Sequence, residues 1–101
     1  MGKSYLVATY SEIKDPKKLK EYGKGAGPAL SQNGATTLAR GSDILSLEGI
    51  PPERAVILEF ENIEEARKAY NSAEYQESKK KLEGGVTRNL FVIEGLYQDF
   101  K

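Results

Sequence analysis

The chain has 101 residues, and fifteen Lys and Arg cancel fifteen Asp and Glu, leaving a formal charge of zero. That length holds one domain, able to bury roughly 60–70% of its unfolded surface, and the balance argues against a general nucleic-acid binder, which carries a basic excess. Cys and His are both absent, which excludes disulfides and thiol chemistry and removes the commonest general base and transition-metal ligand.

No apolar run approaches the roughly 20 residues a membrane span needs. The opening MGKSYLV has no signal-peptide core, and Leu6 stands where a myristoylation motif has Ser or Thr. A soluble cytoplasmic protein is expected, without membrane or nucleic-acid partners. Hard oxygen donors are scattered, so neither a metal nor a cofactor is expected.

Ser4 to Tyr10 reads as the first strand. Tyr5, Val7 and Thr9 share one face, Leu6, Ala8 and Tyr10 the other, and β-formers dominate. Asp15-Pro16 starts a helix, with Asp15 as cap and Pro16 at the first helical position. Leu19, Tyr22, Ala26 and Ala29 or Leu30 follow at helical steps. Gly23, Gly25 and Gly27 weaken this helix by about 1 kcal/mol each against Ala, and Pro28 is expected to kink or break it. Asn33-Gly34 ends it. Thr36 to Arg40 is the second strand, Gly41-Ser42-Asp43 a turn or bulge, and Ile44 to Leu47 a resumption of the strand. Pro51-Pro52 lies in a loop.

The segment from Arg54 to Gln76 organises the rest. Ala55 to Phe60 is apolar on both faces until Glu59, the mark of a strand covered on both sides. Asn62 and Glu65 have capping-box spacing. Ile63, Ala66 and Tyr70 make one apolar stripe, with Glu64 and Lys68 paired on the wet side. Ser72 caps a second helical stretch that carries Tyr75 and a Glu77–Lys81 pair. Gly84-Gly85 stops it. Leu90 to Glu94 is the last strand, and residues 96–101 form a tail beyond a core of residues 4–95.

The order β-α-β-β-α-β predicts an α+β, ferredoxin-like sandwich: one antiparallel four-stranded sheet with helices on one face. Right-handed crossovers place the first and third strands centrally. The helices cover one side only, and the other exposes more apolar surface than a monomer usually tolerates. A second copy packed sheet to sheet is the simplest cover. The sequence therefore predicts a homodimer with a barrel-like space between sheets; a tail folded back over the face is the alternative.

Against this background the chain resembles the DUF1330 family of the dimeric α+β barrel superfamily. The resemblance runs from the first strand to Gly95. It rests on Asp15-Pro16 with Tyr22, Gly34, Arg40-Gly41, Glu48-Gly49, Glu59-Phe60, Ala66, Tyr70, Ser72, Glu74-Tyr75-Gln76 and Glu94-Gly95, most specifically on Leu58 through Gln76. It implies the same fold and dimer, and little chemistry, because the family is named for its unknown function. Small monooxygenases, isomerases and haem enzymes share the superfamily, so the fold is a poor guide to reaction. Two features depart from the family's pattern: the three glycines of the first helix, and Lys79-Lys80-Lys81 with Leu82 where an Arg is common. A lysine cannot offer the planar fork of a guanidinium.

Several residues are candidates for chemistry. Arg40, beside Gly41 near a strand end, could anchor a carboxylate or phosphate; an ion pair with Glu48, Glu59 or an acid of a second copy competes with that role. Glu59 and Glu94 end apolar strands. A partly desolvated Glu59 is the candidate base, against a simple pairing with Arg54, Arg88 or Arg40. Six tyrosines are many for this length; most such rings pack in cores, and Tyr22 and Tyr75 are chosen for a pocket rim. The GKGAGP run fits neither a Rossmann nor a P-loop fingerprint. Lys79 to Lys81 reads as a solvated face. The leading expectation is a homodimer that binds a small organic ligand, anionic or neutral, between sheet and helices or at the dimer seam, through Arg40, Tyr22, Tyr75 and Glu59. The rivals are a cofactor-independent isomerase or monooxygenase acting on a small carbonyl compound, and a structural or interaction module.

Overall fold

The structure is a computed structural model that describes residues 2–96. Its elements are β1 (Ser4–Ile13), α1 (Pro16–Gln32), β2 (Thr36–Gly41), β3 (Arg54–Phe60), α2 (Ile63–Tyr70), α3 (Ala73–Lys80) and β4 (Val86–Glu94). The strands form one antiparallel sheet in the order β2-β3-β1-β4. The two strands with apolar residues on both faces are the central pair, as their composition requires. The chain has the ferredoxin-like α+β architecture, its helical half divided into α2 and α3 by the Ser72 cap.

Along β1, Ser4, Leu6, Ala8 and Tyr10 are buried while Tyr5, Val7 and Thr9 are half-buried. The even-numbered row faces the helices and joins Leu58 and Phe60 of β3 in a core closed by Tyr22, Ala26, Ala66, Ala69 and Tyr75. Phe60 and Tyr75 are each 1% exposed and are the largest fully buried side chains. The other face of the sheet lies open. Phe91 and Ile93 are 49% and 57% exposed there, and Tyr5, Val7 and Ile57 are half-buried beside them.

The caps sit where residue type places them. Asp15 accepts from the amides of Lys17 and Lys18, Asn62 from Glu65, and Ser72 from Tyr75. Gly34 takes φ 100° in the turn out of α1, a conformation costly for any residue with a Cβ. The helical ion pairs form at i,i+3, as Glu64–Arg67, Glu65–Lys68 and Glu77–Lys80, not at the expected i,i+4; both steps are adjacent on a helix surface.

Three expectations are corrected. Helix α1 runs unbroken through Pro28. The carbonyl that Pro28 cannot bond belongs to Lys24, and both residues face solvent, where water can replace the missing N–H. Ile44 to Leu47 is not a strand: β2 ends opposite Ala55, and β3 begins one residue earlier, so nothing remains for that segment to pair with. Leu45 and Leu47 are accordingly 83% and 85% exposed. Strand β4 begins at Val86 rather than Leu90, because β1 continues past a bulge between Tyr10 and Glu12 and pairs Ile13 with Val86. The tail from residue 97 lies outside the described residues; Leu96 is exposed.

Candidate ligand-binding cleft

The sheet register gathers cations at one end of the helix-side face. Tyr10 stands directly opposite Arg54 on β3 and Arg88 on β4. Arg40 stands opposite Val56, one step along the same face from Arg54. Two arginines thus flank Tyr10 at the end of the sheet where α1 begins, and Arg40 stands one strand beyond Arg54. Among the described residues no carboxylate lies within ion-pairing distance of Arg40, Arg54 or Arg88. The competing role for Arg40, a pair with Glu48 or Glu59, does not form there.

Arg88 is spent on tyrosines. One terminal nitrogen donates to the hydroxyls of Tyr10, at 3.1 Å, and Tyr22, at 3.2 Å; the other donates to Tyr75, at 3.2 Å. The Tyr22 and Tyr75 hydroxyls lie 2.8 Å apart and share a further hydrogen bond. The guanidinium also lies against the Tyr10 and Tyr22 rings, 5.6 and 5.1 Å from their centroids. Tyr22 and Tyr75 meet edge to face at 5.9 Å. Burial pushes the Tyr22 hydroxyl well above the usual phenol range, helped by Tyr75 and opposed by Arg88. Burial also works against the charge on Arg88, but the oxygens of Tyr22, Tyr75 and Tyr10 outweigh it, so its affinity for the proton is raised. This one cation ties β1, β4, α1 and α3 together. Because Arg88 fills an acceptor site on Tyr10, the Tyr10 hydroxyl proton is left to point elsewhere.

Beside this cluster a cleft of about 380 Å³ opens between α1 and the β3–β2 side of the sheet. Tyr10, Arg40 and Arg54 line its end near the start of α1, and Val56, Leu58 and Leu30 line the rest. The Arg54 Nε is shut off from solvent and has no partner among the described residues. A buried N–H in that state costs about 1–3 kcal/mol. On the helix wall, Gly23 and Gly27 line the cleft, and a Cβ at either would meet nothing within 4 Å. Gly25 differs: its missing Cβ lets α1 approach Ser78 of α3.

Of the residues singled out in the sequence, Arg40 and Tyr22 line the cleft. Tyr75 stands behind Tyr22, hydrogen-bonded to it. Glu59 lies on the opposite, open face, across from Tyr5 and Thr36 and 4.0 Å from Lys3 Nζ. It therefore does not share the cleft with Arg40. Sequence reading missed Tyr10, Arg54 and Arg88 as site residues. The signal was present in the alternation: Arg88 falls in the row Val86, Leu90, Val92, and Arg54 in the row Val56, Leu58, Phe60, each a charge at a core-facing position. Starting β4 at Leu90 hid the first of these.

An antiparallel sheet under three helices, with a cationic cleft below the first, defines an α+β protein of ferredoxin-like fold. Its sequence matches the domain of unknown function DUF1330 over residues 3–96, and the chain belongs to that family. No curated protein matches it in sequence. Among solved structures it is similar to RPA0582 of Rhodopseudomonas palustris, a protein of unknown function, at 16% identity and a TM-score of 0.78, covering 96% of this chain and 85% of that one. It is also similar to SnoaB, a cofactor-independent oxygenase from Streptomyces nogalater, at 8% identity and a TM-score of 0.67, covering 97% of both chains. A dimeric ferredoxin-like protein of unknown function from Bacteroides fragilis matches at 15% identity and a TM-score of 0.56, covering 94% of this chain and 98% of that one. At these identities the likeness concerns the fold. Among the described residues no helix is long and apolar enough to cross a membrane.

Proposed function

We propose that the protein is a homodimer that binds a small organic anion in the cleft between α1 and the sheet. The observation that carries the binding role is the pair of arginines, Arg40 and Arg54, lining one cleft without a carboxylate to neutralise them among the described residues. The chain is neutral overall, so this local excess of positive charge is a matter of placement. Unpaired arginines beside an apolar wall recognise anions through charge-assisted, often bidentate hydrogen bonds. Tyr10 and Tyr22 supply hydroxyls at the same end.

The second copy would cover the open face, where Phe91, Ile93, Val7 and Ile57 lie without helices above them. Solved proteins of similar fold from Bacteroides fragilis and Thermobifida fusca are described as dimeric. Sedimentation at micromolar concentration tests this, with Phe91→Asp as the interface variant. A monomeric parent chain would refute the dimer.

The enzyme reading is weaker in this cleft. A general base must be deprotonated and within reach of substrate. No carboxylate or imidazole lines the cleft among the described residues, so it offers none of the usual bases. Chemistry built on Glu59 would belong to the seam between copies; an unchanged pH–rate profile in Glu59→Gln would remove it. Thermal-shift titration with small organic acids and their neutral amides tests the binding reading. The acids should stabilise the parent chain, the amides should not, and Arg40→Ala should weaken the effect. Equal stabilisation by acid and amide would refute it.

A further inference from the structure

Resting on the anion-binding reading, we infer that the cleft takes an amphipathic monocarboxylic acid, its carboxylate at Arg54 and Arg40 and its apolar body along α1. The register orders the cleft by polarity. Arg54 and Tyr10 stand at the end where α1 begins, and Arg40 stands level with Val56, one step further in. Because α1 runs back along the sheet, Leu30 and Leu58 line the cleft toward the other end, with Gly27 on the helix wall and Val56 between. Arg54 to Leu58 is four residue steps of strand, so the charged end and the far end of the cleft are about 13 Å apart at about 3.3 Å per residue. A head and a tail are thus separated along one slot.

The head is a carboxylate rather than a phosphate. Arginines bind phosphate as well as carboxylate, but phosphate sites commonly add a helix N-terminus or a nest of backbone amides. The N-terminus of α1 is next to this cleft, but its first amides are taken by Asp15, whose carboxylate would also repel a dianion. Two guanidiniums and a tyrosine hydroxyl remain, and a planar carboxylate matches a guanidinium fork. Arg54 lines the cleft with no carboxylate partner among the described residues, so its charge is left for such an oxygen. A dicarboxylate would need cations at both ends, and the far end is Leu30, Ala35 and Leu58 with the neutral hydroxyls of Ser31 and Thr37.

The tail is indicated by what α1 omits. Gly23 and Gly27 each leave space where a methyl would meet nothing, at a cost in helix stability of about 1 kcal/mol apiece. Packing does not require them, since Ala would fit. One helical turn apart, they widen the slot along its length.

The test is titration of the full chain by NMR with acetate, octanoate, 3-phenylpropanoate, octanamide, succinate and inorganic phosphate, following the amides of Gly23, Gly27 and Thr37. Octanoate or 3-phenylpropanoate should bind at least about tenfold more tightly than acetate or octanamide, as expected for a charge-assisted head joined to a buried apolar tail. Arg54→Gln should weaken octanoate about tenfold. Gly27→Leu, which fills the tail region and leaves the arginines in place, should weaken octanoate about tenfold while leaving acetate unchanged, and it keeps the test valid should the Arg54 variant fold poorly. Octanoate binding no tighter than acetate, or undiminished in Gly27→Leu, overturns the assignment. Tighter binding of succinate or phosphate overturns the carboxylic-acid class while leaving an anion site. Failure of every anion to move these amides overturns both this inference and the reading beneath it.

Discussion

The three glycines of α1 are expected to respond to alanine with opposite signs. Gly23→Ala and Gly27→Ala place a methyl in open space on an exposed helix surface. Each should stabilise the protein by about 0.5–1 kcal/mol, chiefly by narrowing the unfolded ensemble, so the double variant gains about 1–2 kcal/mol. At roughly 4–8 °C per kcal/mol for a domain near this size, thermal unfolding should rise visibly. Gly25→Ala should not share the gain. Its Cβ would collide with Ser78 Oγ and sit 3.2 Å from Ser78 Cβ. Ser78 is 6% exposed and bonded to the Glu74 carbonyl, so it has little room to yield. Overpacking of that kind costs about 1–3 kcal/mol, which cancels or exceeds the helix gain. Adding Ser78→Gly should restore the loss, because it removes both atoms the methyl meets. Urea denaturation of the three single variants and the rescue pair decides the matter. Destabilisation by Gly23→Ala or Gly27→Ala would refute the open wall of the cleft, and a stabilising Gly25→Ala would refute close α1–α3 packing.

Other consequences follow from the tyrosine cluster. Arg88→Met removes the donor to three hydroxyls at once and should cost about 2–4 kcal/mol in chemical denaturation, given about 1–3 kcal/mol for each buried polar group left unpaired; a loss under 0.5 kcal/mol would show the cluster to be dispensable. Arg88→Lys should recover only part of that, since an ammonium cannot span the same fork. The raised Tyr22 pKa fixes the sign of an alkaline effect. The stability Tyr22 contributes is full below the ordinary phenol pKa near 10 and is lost above it, where the unfolded chain releases a proton the folded chain keeps. That slope is about 1.4 kcal/mol per pH unit. Denaturation at pH 9 to 11 should show a shallower loss in Tyr22→Phe, and an identical slope would refute the assignment. Asp15→Ala, which uncaps α1, should cost about 1 kcal/mol by the same measurement.

The chain alone determined the architecture. Asp15-Pro16, Asn62 with Glu65, and Ser72 mark helix starts by local hydrogen bonding, and Ala55 to Phe60 declares a central strand by being apolar on both faces. These signals are local, so they are read without knowing what packs on what. The same holds for the unpartnered face of the sheet, which follows from having helices enough for one side. The site was only half legible. Arg40 and Tyr22 could be named, because a charge or ring at an element's edge stands out. Their company could not: Arg54, Tyr10 and Arg88 lie far apart in sequence and meet through a register fixed by three strands at once. The separation of Glu59 from Arg40 likewise depends on that register, because a single residue's step along a strand exchanges one face of the sheet for the other. The glycines show the division most clearly. In sequence Gly23, Gly25 and Gly27 are one weakness in a helix. The helix turns by about 100° per residue, so Gly25 meets α3 while the other two, four residues apart, open the cleft.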